Sequence, residues 1–95
     1  MQIIANKETA RYLTRLRDRN NRSGYKKVIG WRSSVRLTQS HYYRTTSGSI
    51  LSVSVCFMIM PIKDLDLTLT RPECPICKAY LLLYPDTAQS EPQAS

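Results

Sequence analysis

The chain has few of the residues that reveal enzyme activity from sequence alone. Its 95 residues include one histidine, one tryptophan and three glycines. Any Ser/His/Asp arrangement would have to centre on His41, and the scattered glycines form no phosphate-binding loop. Asp64 and Asp66 alternate with leucines, which is typical of the solvent-exposed side of a strand rather than of a catalytic pair. We therefore predict that the protein is not an enzyme.

Long hydrophobic runs are also missing. The most apolar stretch, "ILSVSVCFMIM" at 50–60, contains two serines and is shorter than the ~20 residues of a membrane-spanning helix, so we expect no transmembrane segment. The first residues, "MQIIANKETARYL", do not resemble a secretory signal. We therefore expect reduced thiols and an intracellular protein, cytoplasmic or nuclear. A mitochondrial presequence is the alternative, because the N-terminus is rich in arginine, although Glu8 and Asp18 count against it.

Acidic residues are scarce in the first half of the chain. Residues 1–44 carry eleven basic and two acidic residues, a net charge of +9, whereas residues 45–95 carry a net charge of −2. This asymmetry indicates a polyanionic partner for the N-terminal half, although a solvated arginine-rich surface would show the same composition.

One helix is predicted over residues 6–19. Asn6 is a suitable N-cap, and Ala10, Leu13, Leu16 and Ile3 form a narrow apolar stripe. A second face carries basic residues at a spacing of four, which we call the cationic ridge: Lys7, Arg11, Arg15 and Arg19. The following "RNNRSG" contains turn-forming residues and predicts the end of the helix.

Three strands are predicted from alternating patterns, at about 35–44, 50–60 and 64–70. "YLLLY" at 80–84 is compatible with a fourth strand or a helical turn, and residues 85–95 have the composition of a disordered tail. We therefore predict an α+β fold with one domain over 1–84. In it, the basic amphipathic helix packs against an antiparallel β-meander of three to four strands.

The cysteines leave three interpretations open. Cys74 and Cys77 form a Cys-x-x-Cys pair that, together with Cys56 and His41, has the ligand count of a structural zinc site, but a second closely spaced pair is missing. The Cys-Pro-Ile-Cys segment also resembles, over residues 72–81, the active-site turn of glutaredoxins, which implies a thiolate at a helix N-terminus. That family continues through a further helix and strands, whereas eighteen residues follow Cys77 here. The interpretation that the spacing favours is two ordinary reduced thiols in a loop, with no cofactor and with zinc as the alternative.

The composition favours a small, non-enzymatic protein that binds RNA or DNA through its N-terminal half. Basic side chains would contact phosphates, and interleaved aromatic rings would stack on unpaired bases. The candidate residues are Lys7, Arg11, Arg15, Arg17, Arg19, Arg22, Lys26, Lys27, Trp31, Arg32, Arg36, Tyr42, Tyr43 and Arg44. Two alternatives remain: an accessory protein that binds an anionic membrane surface or an acidic protein through the basic helix, and an overlapping or young reading frame without a selected function.

Overall fold

The computed structural model describes residues 7–88 as an α+β fold with two helices and a four-stranded antiparallel sheet. The elements, in chain order, are α1 (Lys7–Arg22), β1 (Lys27–Arg32), β2 (His41–Thr45), β3 (Leu51–Ser54), β4 (Ile59–Pro61) and α2 (Pro75–Leu83), with short 3-10 helices at Ile62–Asp64 and Pro85–Ala88. The strands follow one another in the order β1-β2-β3-β4. The predicted fold class is confirmed.

Helix α1 exists as predicted but extends three residues further. Glu8 lies in its first turn and Arg19 and Arg22 in its last, which complements the helix dipole. Asn20, which we expected to end the helix, is instead buried within it and bonded to the rest of the fold. The predicted cap Asn6 and the apolar residue Ile3 lie outside the described residues.

The predicted strand 50–60 is a hairpin of two strands. The chain reverses between Ser54 and Met58, where the Ser54 N–H donates to the Met58 carbonyl and the Met58 N–H donates to the Ser54 hydroxyl. Phe57 occupies the left-handed region at φ 71°, which permits this tight reversal. The turn contains neither glycine nor proline. The alternation of apolar and polar residues continues through it and therefore predicts a single strand.

The other strand predictions also need correction. Only residues 41–44 of the predicted strand 35–44 lie in β2, and Val35 lies in a turn, where it is 77 % exposed. Residues 64–70 contribute a single bridge, Asp66 to Ser33, rather than a strand. Strand β1 was not predicted at all; it pairs with β2 through a bulge between Val28 and Gly30, and the φ of 103° at Gly30 suits glycine.

The "YLLLY" segment is helical, because it continues α2. Pro75 at the first position of α2 has the fixed φ and the missing N–H that a helix start tolerates. Pro85–Ala88, assigned by the sequence to the tail, forms a 3-10 turn. The remaining tail positions, 89–95, lie outside the described part of the chain.

The core lies where both helices meet the sheet. Leu13 and Leu16 of α1, Tyr42 of β2, and Ala79 and Tyr80 of α2 belong to one buried cluster. Strand β2 is buried along its whole length. The cluster also contains Cys74 and Cys77, so the cysteine pair lies inside the core rather than in a peripheral loop.

Candidate metal centre

The Cys-x-x-Cys segment opens α2 and is tied directly to β2. The Cys74 N–H donates to the Ser40 carbonyl at 2.8 Å, and the Ser40 N–H donates to the Pro72 carbonyl at 2.9 Å. These two bonds form a short parallel bridge between residues 40 and 73. Because His41 follows Ser40, the bridge places the cysteine pair beside the only histidine of the chain.

Cys74 and Cys77 point to the same place because of the helical turn between them. Cys74 is the N-cap of α2 and its carbonyl accepts the Lys78 N–H at 2.9 Å, which closes the first turn. Both side chains are buried, Cys77 completely. The Tyr42 N–H donates to the Cys77 sulfur at 3.5 Å. The expectation that the two thiols sit in a loop is thereby corrected.

The third cysteine comes from the turn between β3 and β4. Cys56 is half-buried, its Sγ lies 3.4 Å from His41 Nδ1, and the Ser54 hydroxyl lies 3.0 Å from the same sulfur. The predicted strand 50–60 includes Cys56, whereas the structure places this residue in a turn. Its position in a turn lets the side chain reach inward without breaking the strand pairing.

The four side chains His41, Cys56, Cys74 and Cys77 converge. Their ligand atoms all lie within 4.8 Å of one another, and Cys77 Sγ lies 3.9 Å from His41 Nδ1. Tetrahedral zinc with S and N ligands requires separations of about 3.5–3.8 Å between ligand atoms, given bonds of about 2.3 and 2.0 Å. The cluster could therefore hold a metal ion with small movements of the side chains.

Proximity shifts the protonation equilibria of the cluster. Hydrogen bonding to Cys56 and Cys74 raises the pKa of His41 to about 9 despite its burial. Hydrogen bonds from Cys56 and Cys77 lower the pKa of the Cys74 thiol, whereas hydrogen bonding with Cys56 and Cys74, together with burial, raises the pKa of the Cys77 thiol. A metal ion binds cysteine as the thiolate and histidine as the neutral imidazole, so metal binding here would release protons from the cluster.

The predicted nucleic-acid residues divide by exposure. The cationic ridge is exposed, as are Arg22, Lys26, Lys27 and Arg36, while Arg17, Trp31 and Arg32 are half-buried. Tyr42, Tyr43 and Arg44 are buried. Tyr42 and Tyr43, which the sequence predicts to stack on bases, thus lie in a strand that is buried along its whole length.

Two cation–aromatic contacts fix arginines of α1. The Arg19 guanidinium lies 4.2 Å from the centre of the Phe57 ring, in the turn that carries Cys56. On another side of the helix, the Arg17 guanidinium lies 4.4 Å from the centre of the Tyr84 ring. Sequence reasoning missed both contacts, since they join segments far apart in the chain.

No family model, curated protein or solved structure matches this chain. Within residues 7–88, no helix has both the length and the apolar character needed to cross a bilayer.

Proposed function

We propose that the protein is a small zinc-binding module in which His41, Cys56, Cys74 and Cys77 ligate one structural Zn²⁺. The observation that carries the proposal is the convergence of four ligand atoms from three separate segments of the chain. Three thiolates and one imidazole are a donor set that zinc favours, and four protein ligands characterise a structural rather than a catalytic site. The ion would join β2, the β3–β4 turn and the start of α2.

Metal analysis of untagged protein tests the zinc site. We expect one equivalent of zinc in the wild type, and tetrahedral absorption bands with thiolate-to-metal charge transfer after exchange for Co²⁺. The double variant Cys74→Ser/Cys77→Ser should lose this metal to a chelator that the wild type withstands. Leu16→Ala is the control, because it removes a buried side chain without touching a ligand and should keep the stoichiometry of one while losing stability. A cooperatively folded wild type that excludes zinc when zinc is supplied would refute the site.

We further propose that the module binds RNA or DNA through α1. The specific observation is that Lys7, Arg11, Arg15 and Arg19 are all exposed, while the buried side chains of the helix, Leu13, Leu16 and Asn20, lie on its other side. At a rise of 1.5 Å per residue the ridge extends over roughly 18 Å, enough to follow a phosphate backbone. Since Tyr42 and Tyr43 are buried, the proposed contacts are with phosphates rather than with stacked bases.

Salt dependence tests this second proposal. Replacing Arg11 and Arg15 with alanine should reduce the slope of log affinity against log salt by about 1.4 for a single strand, or about 0.7 per contact. Lys63→Ala/Lys78→Ala removes the same charge from exposed positions outside the ridge and should leave the slope unchanged. If both variants reduce the slope equally, the binding depends on the net charge of the protein and not on the ridge. Binding to anionic vesicles but not to oligonucleotides would replace nucleic acid with a membrane surface as the partner.

A further inference from the structure

A cavity of about 280 Å³ lies between α1, α2, the residue that precedes β1, the end of β2 and the C-terminal 3-10 turn. It is separate from the cationic ridge, because the α1 residues that line it, Arg17 and Asn21, are not ridge residues and lie on another flank of the helix. The charged lining residues are Arg17, Lys26, Arg44 and Asp86, and Asn21 and Thr87 add an amide and a hydroxyl. Three cations against one carboxylate give the cavity a net charge of +2.

Two of the cations are held in place before any ligand arrives. The buried Arg44 donates a hydrogen bond to the Asn20 side chain, and the guanidinium of Arg17 is stacked on Tyr84. Fixed guanidiniums lose little side-chain entropy when an anion binds, and their planar donors match phosphate oxygens. A concave surface excludes part of the competing water, so these charges act more strongly here than on the open face of the helix.

We propose that this cavity is a phosphate-binding site. Its ligand is a phosphate group, contacted by Arg17, Lys26 and Arg44 and offered further donors by Asn21 and Thr87. The group can belong to a free phosphate or nucleotide, or to a nucleic-acid strand, and the site does not depend on the ridge being a nucleic-acid surface. Asp86 opposes the anion, and its charge therefore limits the affinity.

Titration of the full chain with inorganic phosphate, followed by proton–nitrogen NMR at constant ionic strength, tests the site. Saturable shifts are expected for the amides of Asn21, Lys26 and Thr87. Arg17→Gln should weaken binding about tenfold, the effect of losing one partly desolvated charge contact, and Lys26→Gln, at an exposed position, about fivefold. Lys27→Gln and Arg15→Gln are the matched controls, exposed neighbours that should leave the affinity within about twofold. Because Lys26 is exposed, its replacement should not unfold the chain.

Asp86→Asn supplies a test of opposite sign. Removing the one carboxylate of the lining should tighten phosphate binding several-fold. A change in the stability of the protein alone would not increase the affinity for phosphate. Shifts that do not saturate, or that are equal in Lys26→Gln and Lys27→Gln, would overturn the proposal.

A short oligonucleotide with and without a 5′-phosphate then separates the two sources of the phosphate group. Higher affinity for the oligonucleotide with the 5′-phosphate indicates a strand end, and equal affinity for both indicates a free phosphate compound. Ridge variants that abolish oligonucleotide binding but keep the phosphate shifts would show the two sites to be independent.

Discussion

The neighbouring residues Asn20 and Asn21 should respond in opposite directions to the same substitution. Asn20 is 3 % exposed; its amide donates to the Val55 carbonyl at 3.2 Å and its carbonyl oxygen accepts from the Arg44 guanidinium. Asn21, one position further along α1, is exposed. Alanine is the better helix former at both positions, so helix propensity alone predicts stabilisation in each case.

The structure gives the magnitude. Losing the bond to the charged Arg44 costs about 1.5–3 kcal/mol and losing the bond to Val55 about 0.5–1.5 kcal/mol. The gain in helix propensity returns at most about 0.7 kcal/mol. We therefore expect Asn20→Ala to lower the free energy of unfolding by about 2–3 kcal/mol and Asn21→Ala to raise it by about 0.5 kcal/mol.

Thermal unfolding followed by circular dichroism measures the difference, with both variants in the same phosphate-free buffer and with the same metal content. For a domain of this size, 1 kcal/mol corresponds to about 4–8 °C, so Asn20→Ala should melt about 10–20 °C below the wild type. Asn21→Ala should melt slightly above it. The reasoning fails if Asn20→Ala is as stable as the wild type, or if the two variants lose the same amount.

Three further predictions concern the turn, the core and a buried tyrosine. Phe57 has a positive φ, so Phe57→Gly should be more stable than Phe57→Ala by about 1 kcal/mol in urea unfolding, although both lose the contact with Arg19; the reverse order would contradict the assigned backbone. Leu13 is 0 % exposed, so Leu13→Ala should cost about 2–5 kcal/mol, and a loss below about 1 kcal/mol would be inconsistent with the described core. Burial raises the pKa of Tyr80, so the folded state keeps its phenolic proton to a higher pH than the unfolded state. Stability should be complete below about pH 10 and fall as the pH rises through the folded-state pKa, and Tyr80→Phe should flatten that fall; an unchanged pH profile would show that Tyr80 does not contribute.

The sequence predicts the parts of this fold that depend on neighbours along the chain. Helix α1 is an example, because its apolar spacing and its charges at both ends act within a few turns. The start of α2 also has a local signal, because a proline directly after Cys74 suits the first position of a helix. Strand ends were less accessible, since the turn at Phe57 is stabilised by the Ser54 side chain and not by glycine or proline.

The candidate metal centre was likewise only partly predictable from the sequence. The residue types were evident from the count of three cysteines and one histidine. Their convergence was not, because it depends on the bridge between Ser40 and Glu73 and on the reversal that turns Cys56 inward. The spacing of the four residues along the chain did not indicate a common site, whereas in the folded chain their ligand atoms lie within 4.8 Å of one another.

The order of the four candidate ligands along the chain has a consequence for synthesis on the ribosome. His41 and Cys56 emerge first, and the paired thiols of Cys74 and Cys77 follow only after the whole sheet has left the exit tunnel. An ion held by all four residues would therefore bind only after the strands have paired, and it would stabilise a sheet that has already formed. Chains truncated before residue 74 would lack half of the donors and the helix that covers the hydrophobic interior.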